Sequence, residues 1–335
     1  MSLVTTMSVP AIDDLMKKSF LKSAYKDGGD VRALFQKETQ DWSSASKRIY
    51  EIDKERFGER KAQGQGSAQR GISQGYFKDI NRYTVSVTRK VAGEAYKALT
   101  AYKLAEMAMA TGDDIVDKIE LDMRNFLGFG DSASYTDNGG YTIDTTGGDG
   151  LSNFNTTHTL KNTATTYSNI ISGAPALAET SLDLAVDYFN YNVMDNNGQR
   201  IEMKPNTLIT SSKSAMVNRA NRLMNSVAPE KVEGSANANS GIVNAYKNRF
   251  KHMVIDFDVT AFNIADSTKS FYWFVASLGG NPETSLQWYY VKWLSPEIAP
   301  VEVNQDKWYM SWTARACLGL GAVSSKGICV SKATS

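Results

Sequence analysis

Lys47-Arg48-Ile49-Tyr50-Glu51-Ile52 opens the stretch on which the fold turns, and that stretch runs on to Phe126. It passes through Lys61-Ala62-Gln63-Gly64-Gln65-Gly66-Ser67-Ala68-Gln69-Arg70-Gly71, a glycine-punctuated tip with almost no apolar side chain to bury. Such a tip cannot be core. Beyond it, Tyr83, Val85 and Val87 alternate with Arg82, Thr84, Ser86 and Thr88, the period-two pattern of a strand with one sheltered face. The period then turns helical: Val91, Ala95, Ala98, Leu99, Tyr102, Ala105 and Met109 share a face, and after Thr111-Gly112-Asp113 the pattern resumes with Ile115, Ile119, Met123 and Phe126. This predicts an exposed two-stranded arm feeding a long helix. A two-stranded ribbon is marginal in water by itself, so its supporting surface comes from the rest of the chain or from a neighbouring copy.

Working outward, residues 1–46 carry short amphipathic pieces around Ile12, Leu15, Met16 and Phe20 and around Val31, Leu34 and Phe35, broken at Gly28-Gly29. They are too short to be stable alone and read as an N-terminal arm lying on another surface. Gly128-Phe129-Gly130 stops the long helix, and residues 131–166 are rich in Gly, Ser, Thr, Asn and Asp, the composition of loop with a few short strands. A helix carrying Ala178, Leu182, Ala185 and Phe189 is predicted with Pro175 near its first turn. It is followed by a turn at Asp195-Asn196-Asn197-Gly198, a buried strand at Thr207–Thr210, and a helix capped by Ser211-Ser212. From Arg249 onward the pattern is mainly strand, at 252–259, 271–278 and 288–293. Trp308–Val330 is read as two strands flanking Gly319, Gly321 and the turn Ser324–Gly327.

The totals bound the function. A chain of 335 residues suggests two or three lobes. Lys plus Arg at 37 against Asp plus Glu at 36 leaves a net charge of +1, which predicts no tight nucleic-acid or membrane binding from charge alone. The start Met1–Thr6 lacks the pattern of an export signal, so the expectation is reduced Cys317 and Cys329 in a cytoplasm. The greasiest window, Phe271–Leu278, is far shorter than the roughly 20 residues of a membrane helix and reads as a buried strand.

A search for chemistry comes back empty. His158 and His252 have no zinc-helix spacing and read as a loop hydrogen bond and a strand position. Cys317 and Cys329 fit two opposed strands better than a metal site. Thr145-Thr146-Gly147-Gly148-Asp149-Gly150 lacks the Gly-Lys-Ser/Thr of a phosphate cradle and reads as a flexible loop. Asp256 and Asp258, flanking Phe257, read as the wet face of a strand. Asp113-Asp114 read as carboxylates at a helix start, and Asn155-Thr156-Thr157 is a glycosylation pattern without an export signal. In the arm, Arg48, Arg56, Arg60, Lys61 and Arg70 interleave with Glu51, Asp53, Glu55 and Glu59, and mixed signs favour protein contacts over phosphate tracking. No catalytic, cofactor-binding or metal site is expected, and no enzyme activity.

The order of these elements resembles the major capsid proteins of tailed bacteriophages, the Hong Kong 97 type fold. The likeness is carried by the arm Lys47–Arg89, the helix Lys90–Phe126, and Asn197-Gly198-Gln199-Arg200-Ile201-Glu202-Met203-Lys204-Pro205-Asn206-Thr207-Leu208-Ile209 running into a helix. Trp312-Thr313-Ala314-Arg315-Ala316-Cys317 and Gly327-Ile328-Cys329-Val330 resemble closing strands of the peripheral lobe.

The resemblance implies an α+β fold with an N-terminal arm (1–46), an extended hairpin arm (47–89), and a peripheral lobe with spine helix and loops (90–173). An axial α/β lobe core (174–256) follows, with strands closing both lobes (257–335). It further implies a structural subunit of an icosahedral bacteriophage capsid, assembled in the host's cytoplasm and residing in the virion. Its partners would be copies of itself in hexamers and pentamers, separate scaffolding and portal proteins, a decoration protein, and packaged double-stranded DNA through weak non-specific contact, with no membrane. Some members join neighbouring subunits through a lysine–asparagine bond; nothing in the sequence around Lys61 or Lys78 supports that role here. The competing readings are another virion or encapsulating-compartment subunit and, from a different class, a cytoplasmic hydrolase using His158 or Cys317.

Overall fold

The computed structural model describes residues 9–24, 29–54, 72–92, 100–137, 139–226, 244–258, 267–279, 284–304 and 309–334. The arm tip Lys61–Gly71 lies outside them.

Helix α1 (Val9–Ala24) presents Ile12, Met16, Phe20 and Ala24 at four-residue spacing, and all four are buried. The segment expected to lie on another surface therefore lies on its own chain. After a single 3-10 turn at Asp30–Leu34, strand β1 (Phe35–Thr39) pairs parallel with β12 (Gln287–Ile298). Strands β2 (Ser46–Lys54) and β3 (Ile72–Asn81) form the antiparallel hairpin.

The next strand, β4 (Tyr83–Ala92), leaves the hairpin. It pairs residue by residue with β14 (Tyr309–Ser324), Tyr83 opposite Leu318 and Ala92 opposite Tyr309. This corrects the arm 47–89: the alternating run Tyr83–Val87 belongs to the body's sheet, and the return strand is the more polar Ile72–Asn81. Alternation reports one sheltered face and not which strand supplies the shelter.

The long helix, α2, spans Ala101–Gly128 and not Lys90–Phe126, because residues 90–92 are still in β4. Its buried face runs Leu104, Ala108, Thr111, Ile115, Ile119, Met123 and Phe126, whereas Tyr102 is 73% exposed. There is no break at Thr111-Gly112-Asp113. Gly112 is where α1 crosses: a Cβ there would stand 3.0 Å from the Phe20 carbonyl oxygen and 3.2 Å from the Ala24 nitrogen. Asp113 and Asp114 consequently sit in mid-helix, Asp113 accepting from Ser23 and Asp114 paired with Arg89, and they cap nothing. Thr100 is the actual N-cap, its side chain accepting from the Lys103 N–H.

Residues 131–168 supply two short hairpins, β5 (Ser134–Thr136) with β6 (Thr142–Asp144) and β7 (His158–Thr159) with β8 (Thr166–Tyr167). Helix α3 (Glu179–Asp187) starts four residues after Pro175, so Pro175 is not in its first turn; the Pro175 carbonyl instead accepts from Trp273 Nε1 and Ser331 Oγ. Strand β9 (Thr207–Thr210) leads to helix α4 (Ser214–Asn225), whose N-cap Lys213 makes no side-chain cap. Ser211, expected to cap it, donates to the Ser270 carbonyl and accepts from the Lys213 N–H. Strand β10 (Lys251–Val254) is short, so Asp256 and Asp258 lie beyond it rather than on its wet face, and Asp258 is buried.

Strands β11 (Trp273–Ala276), β13 (Glu302–Asn304) and β15 (Ile328–Ser331) complete two sheets. In the first, β14 takes β12 and then β13 along one edge and β4 along the other, with β1 beyond β12. The second has the order β10-β9-β11-β15. It therefore recruits Ile328–Ser331, which lie in a different sheet from 312–317.

The second sheet is buried on both faces. Ile209, Phe274 and Val330 face the large core shared with α1, α2 and the first sheet, while Leu208, Trp273, Val275 and Cys329 face α3 and α4. Strictly alternating contacts from a continuous apolar run are the signature of a strand covered on both sides. Cys317 and Cys329 thus lie in different sheets, both free and buried, not on two opposed strands.

Candidate functional site

The feature that stands out from this body is the β2–β3 hairpin and the root that anchors it. One face of the ribbon is exposed and carries Tyr50 (47% exposed) opposite Phe77 (41%), ring centroids 6.2 Å apart. Arg48 stacks 4.4 Å over Phe77 and forks onto Asp79 through two hydrogen bonds of 2.6 Å. That pairing pulls the Asp79 carboxyl below its usual range. An exposed aromatic pair framed by a bidentate arginine has the residue types in which protein contact surfaces are enriched.

The root is rigidly fitted. Ile80 fills the space over Gly319 and Gly321, where a Cβ would meet Asn81 O at 2.5 Å and Ile80 Cγ1 at 2.6 Å respectively. These glycines are inside β14, not at its boundary, because only a bare backbone lets the hairpin approach so closely. Lys78 donates to Asp144 and Thr146, Lys47 to Glu38 and the Thr39 carbonyl, and Lys161 to the carbonyls of Gln74 and Gly75. The loop Thr145–Gly150, expected to be flexible, is docked: Gly148 N–H bonds Val323 O, and a Cβ at Gly148 would touch Tyr76 and the Phe77 carbonyl.

Deepest in the root, Glu51 meets Lys326 and Asn196, all three buried. Glu51 accepts from Lys326 Nζ at 3.0 Å and from Asn196 Nδ2 at 2.7 Å. One carboxylate thereby ties the hairpin to the turn after β14 and to the turn before β9.

This arrangement of a long helix, two interleaved sheets and a projecting hairpin has counterparts among solved structures. The chain matches the capsid structure of the cyanophage P-SCSP1u over 92% of its length and 89% of that chain, with TM-score 0.51 and 10% identity. It matches the mature capsid of bacteriophage PhiM1 over 91% of its length and 87% of that chain, with TM-score 0.52 and 8% identity. The chain has the Hong Kong 97 type capsid fold. No protein-family model and no curated protein matches its sequence.

Within this fold, the histidines, cysteines and paired aspartates are dispersed and individually engaged. His158, in β7 and not in a loop, holds Asp149 at 2.7 Å through Nδ1, lies 3.3 Å from the Asn153 carbonyl through Nε2, and stacks on Tyr167. His252 contacts Thr210 Oγ1, and burial lowers its pKa. Cys317 packs with Ile80, Val291 and Trp293. Burial pushes the Cys329 thiol up to about 12, which leaves it protonated and unreactive at neutral pH.

Asp258 is raised by burial, with Asp256 adding to the effect. Among the described residues, no group of three or more His, Cys, Asp or Glu is placed to hold a metal ion, and no helix is long and apolar enough to cross a membrane. Sequence reasoning missed the cluster of Glu51, Lys326 and Asn196. Each looks like an ordinary polar residue locally, and only the tertiary fold joins them.

Proposed function

We propose that this chain is the structural subunit of a bacteriophage capsid, self-assembling into hexamers and pentamers that enclose double-stranded DNA. The observation that carries the reading is the fold shared with two phage capsids over about nine-tenths of both chains. The hairpin supports it independently. A ribbon that exposes Tyr50 and Phe77 on one face gains area by laying that face on a neighbour, and repeated copies of one interface build closed shells. On this reading β2–β3 is the extended arm and α2 the spine. The second sheet with α3 and α4 forms the axial lobe, and the protein resides in the virion.

The partners are then copies of this chain, with separate scaffolding and portal proteins, a decoration protein and weakly held DNA as further expectations. Electron microscopy of the purified protein, over a range of concentrations and with any scaffolding protein found to associate with it, tests the proposal. Closed icosahedral shells are the expected result. Tubes would favour another virion component, and a strict monomer at high concentration with scaffold present would overturn the reading.

A further inference from the structure

Strand β4 (Tyr83–Ala92) has β14 on one side and, among the described residues, no strand on the other. The local bonding shows which of its backbone groups face the open side. The Ala299 N–H donates to the Thr313 carbonyl, so Thr313 turns its backbone groups towards the end of β12 and away from its β4 partner Thr88. Thr88 and Thr313 accordingly touch through their hydroxyls at 2.9 Å, the close side-chain approach of a pair that exchanges no backbone bond. Alternation along the strand then points the N–H and C=O of Thr84, Ser86, Thr88 and Lys90 outward. Arg82, just before the strand and in the same phase, does donate its N–H outward, to the Ala45 carbonyl. Beyond Arg82 the row meets solvent: Thr84, Ser86, Thr88 and Lys90 are all exposed, and no described residue bonds their backbone on that side.

An open edge of ten residues is a template for another strand, and proteins guard such edges with a proline, a bulge, a short strand or a covering element. Strand β4 has no proline, and its register with β14 runs unbroken. Charge is confined to one end, where Arg89 is held by Asp114 and Lys90 lies 5.2 Å over the Tyr309 ring. The outward row from Thr84 through Ser86 to Thr88 is uncharged.

We propose that β4 pairs antiparallel with β4 of a second copy, about a two-fold axis near Val87, so that the first sheets of two subunits become one. A two-fold contact needs a surface that complements itself, and this edge does. The outward N–H and C=O groups of each copy meet those of the other, as in strand addition generally. The serine and threonine rows come together, side chains that pair favourably across strands, and each Lys90 lies at the opposite end from its counterpart. An in-register parallel copy would instead set Lys90 against Lys90. The contact uses none of the hairpin's exposed face and goes beyond the shell-forming reading, since it holds whether or not the paired copies close a shell.

Hydrogen exchange with mass spectrometry on the purified full-length protein, dilute and concentrated, tests it. On association the amides of Thr84, Ser86, Thr88 and Lys90 should slow, while those of Val85, Val87 and Val91, directed at β14, should not change. Thr88→Pro removes an outward N–H, so circular dichroism should show the fold intact. Association should weaken about tenfold, the worth of one or two backbone hydrogen bonds. Ser86→Lys keeps the backbone and sets a charge on the edge; it should act the same way, and it serves if Thr88→Pro misfolds. Oligomers whose residues 83–92 exchange as fast as in the monomer, or variants that associate like wild type, would overturn the pairing and leave the shell-forming reading standing. A wild-type chain that stays monomeric at every concentration would overturn the pairing too; the shell-forming reading falls with it only if scaffold does not change that. Protection that appears only when another protein is added would give the edge to that partner and overturn the pairing of copies.

Discussion

At the scale of single residues, the tightest fits are made by what is missing. Gly319 and Gly321 leave room for Ile80, so Gly319→Ala drives a methyl into the Asn81 carbonyl and should cost about 1–3 kcal/mol by overpacking. Denaturant unfolding measures that loss. Phe20, wholly buried between α1 and α2, should cost about 3–5 kcal/mol when cut to Ala.

Asp137 gives a pH signature. Burial by itself would raise its pKa, but Lys118 and the N–H groups of Tyr141 and Gly139 outweigh that and bring the carboxyl below its usual range. A folded pKa below the unfolded one means stability that is complete above about pH 4 and lost as the pH falls through the lower folded value. Asp137→Asn should therefore flatten the acid limb of the stability curve relative to wild type. None of this was legible in the sequence, where Gly319 and Gly321 read as punctuation between strands. A glycine in a strand and a glycine in a turn are spelled alike, and only the approach of Ile80 separates them.

At the scale of elements, the hairpin, the long helix and the buried strands at 207–210 and 273–276 were legible because each is long or strongly patterned. Their boundaries were not. The phase of α2 was misread because Gly112 looks like a stop until α1 is seen crossing there, and the return strand was misassigned because Tyr83–Val87 alternates more cleanly than Ile72–Asn81. The root cluster was illegible because its members are 145 and 130 residues apart along the chain.

Two outcomes belong to the hairpin. Deleting Gln63–Arg70, outside the described residues, should leave the subunit folded by circular dichroism yet weaken assembly in sedimentation; an unfolded product would mean that the tip belongs to an internal core. Replacing both Tyr50 and Phe77 by Ser should likewise spare the fold, since both are exposed, and reduce the yield of assembled particles.

At the scale of the whole molecule, the two sheets are interleaved rather than sequential. The chain crosses from the second sheet to the first between β11 and β12 and back again between β14 and β15. Strand β14 is the partner of β12, β13 and β4 alike, so the first sheet has no centre without it, and β15 then closes the second sheet's edge. Domains that fold during synthesis do so as their segments emerge, but here residues 309–331 are needed by both halves. A chain cut short before residue 309 therefore lacks strands of both sheets, and such a fragment should lose both halves together instead of leaving one folded.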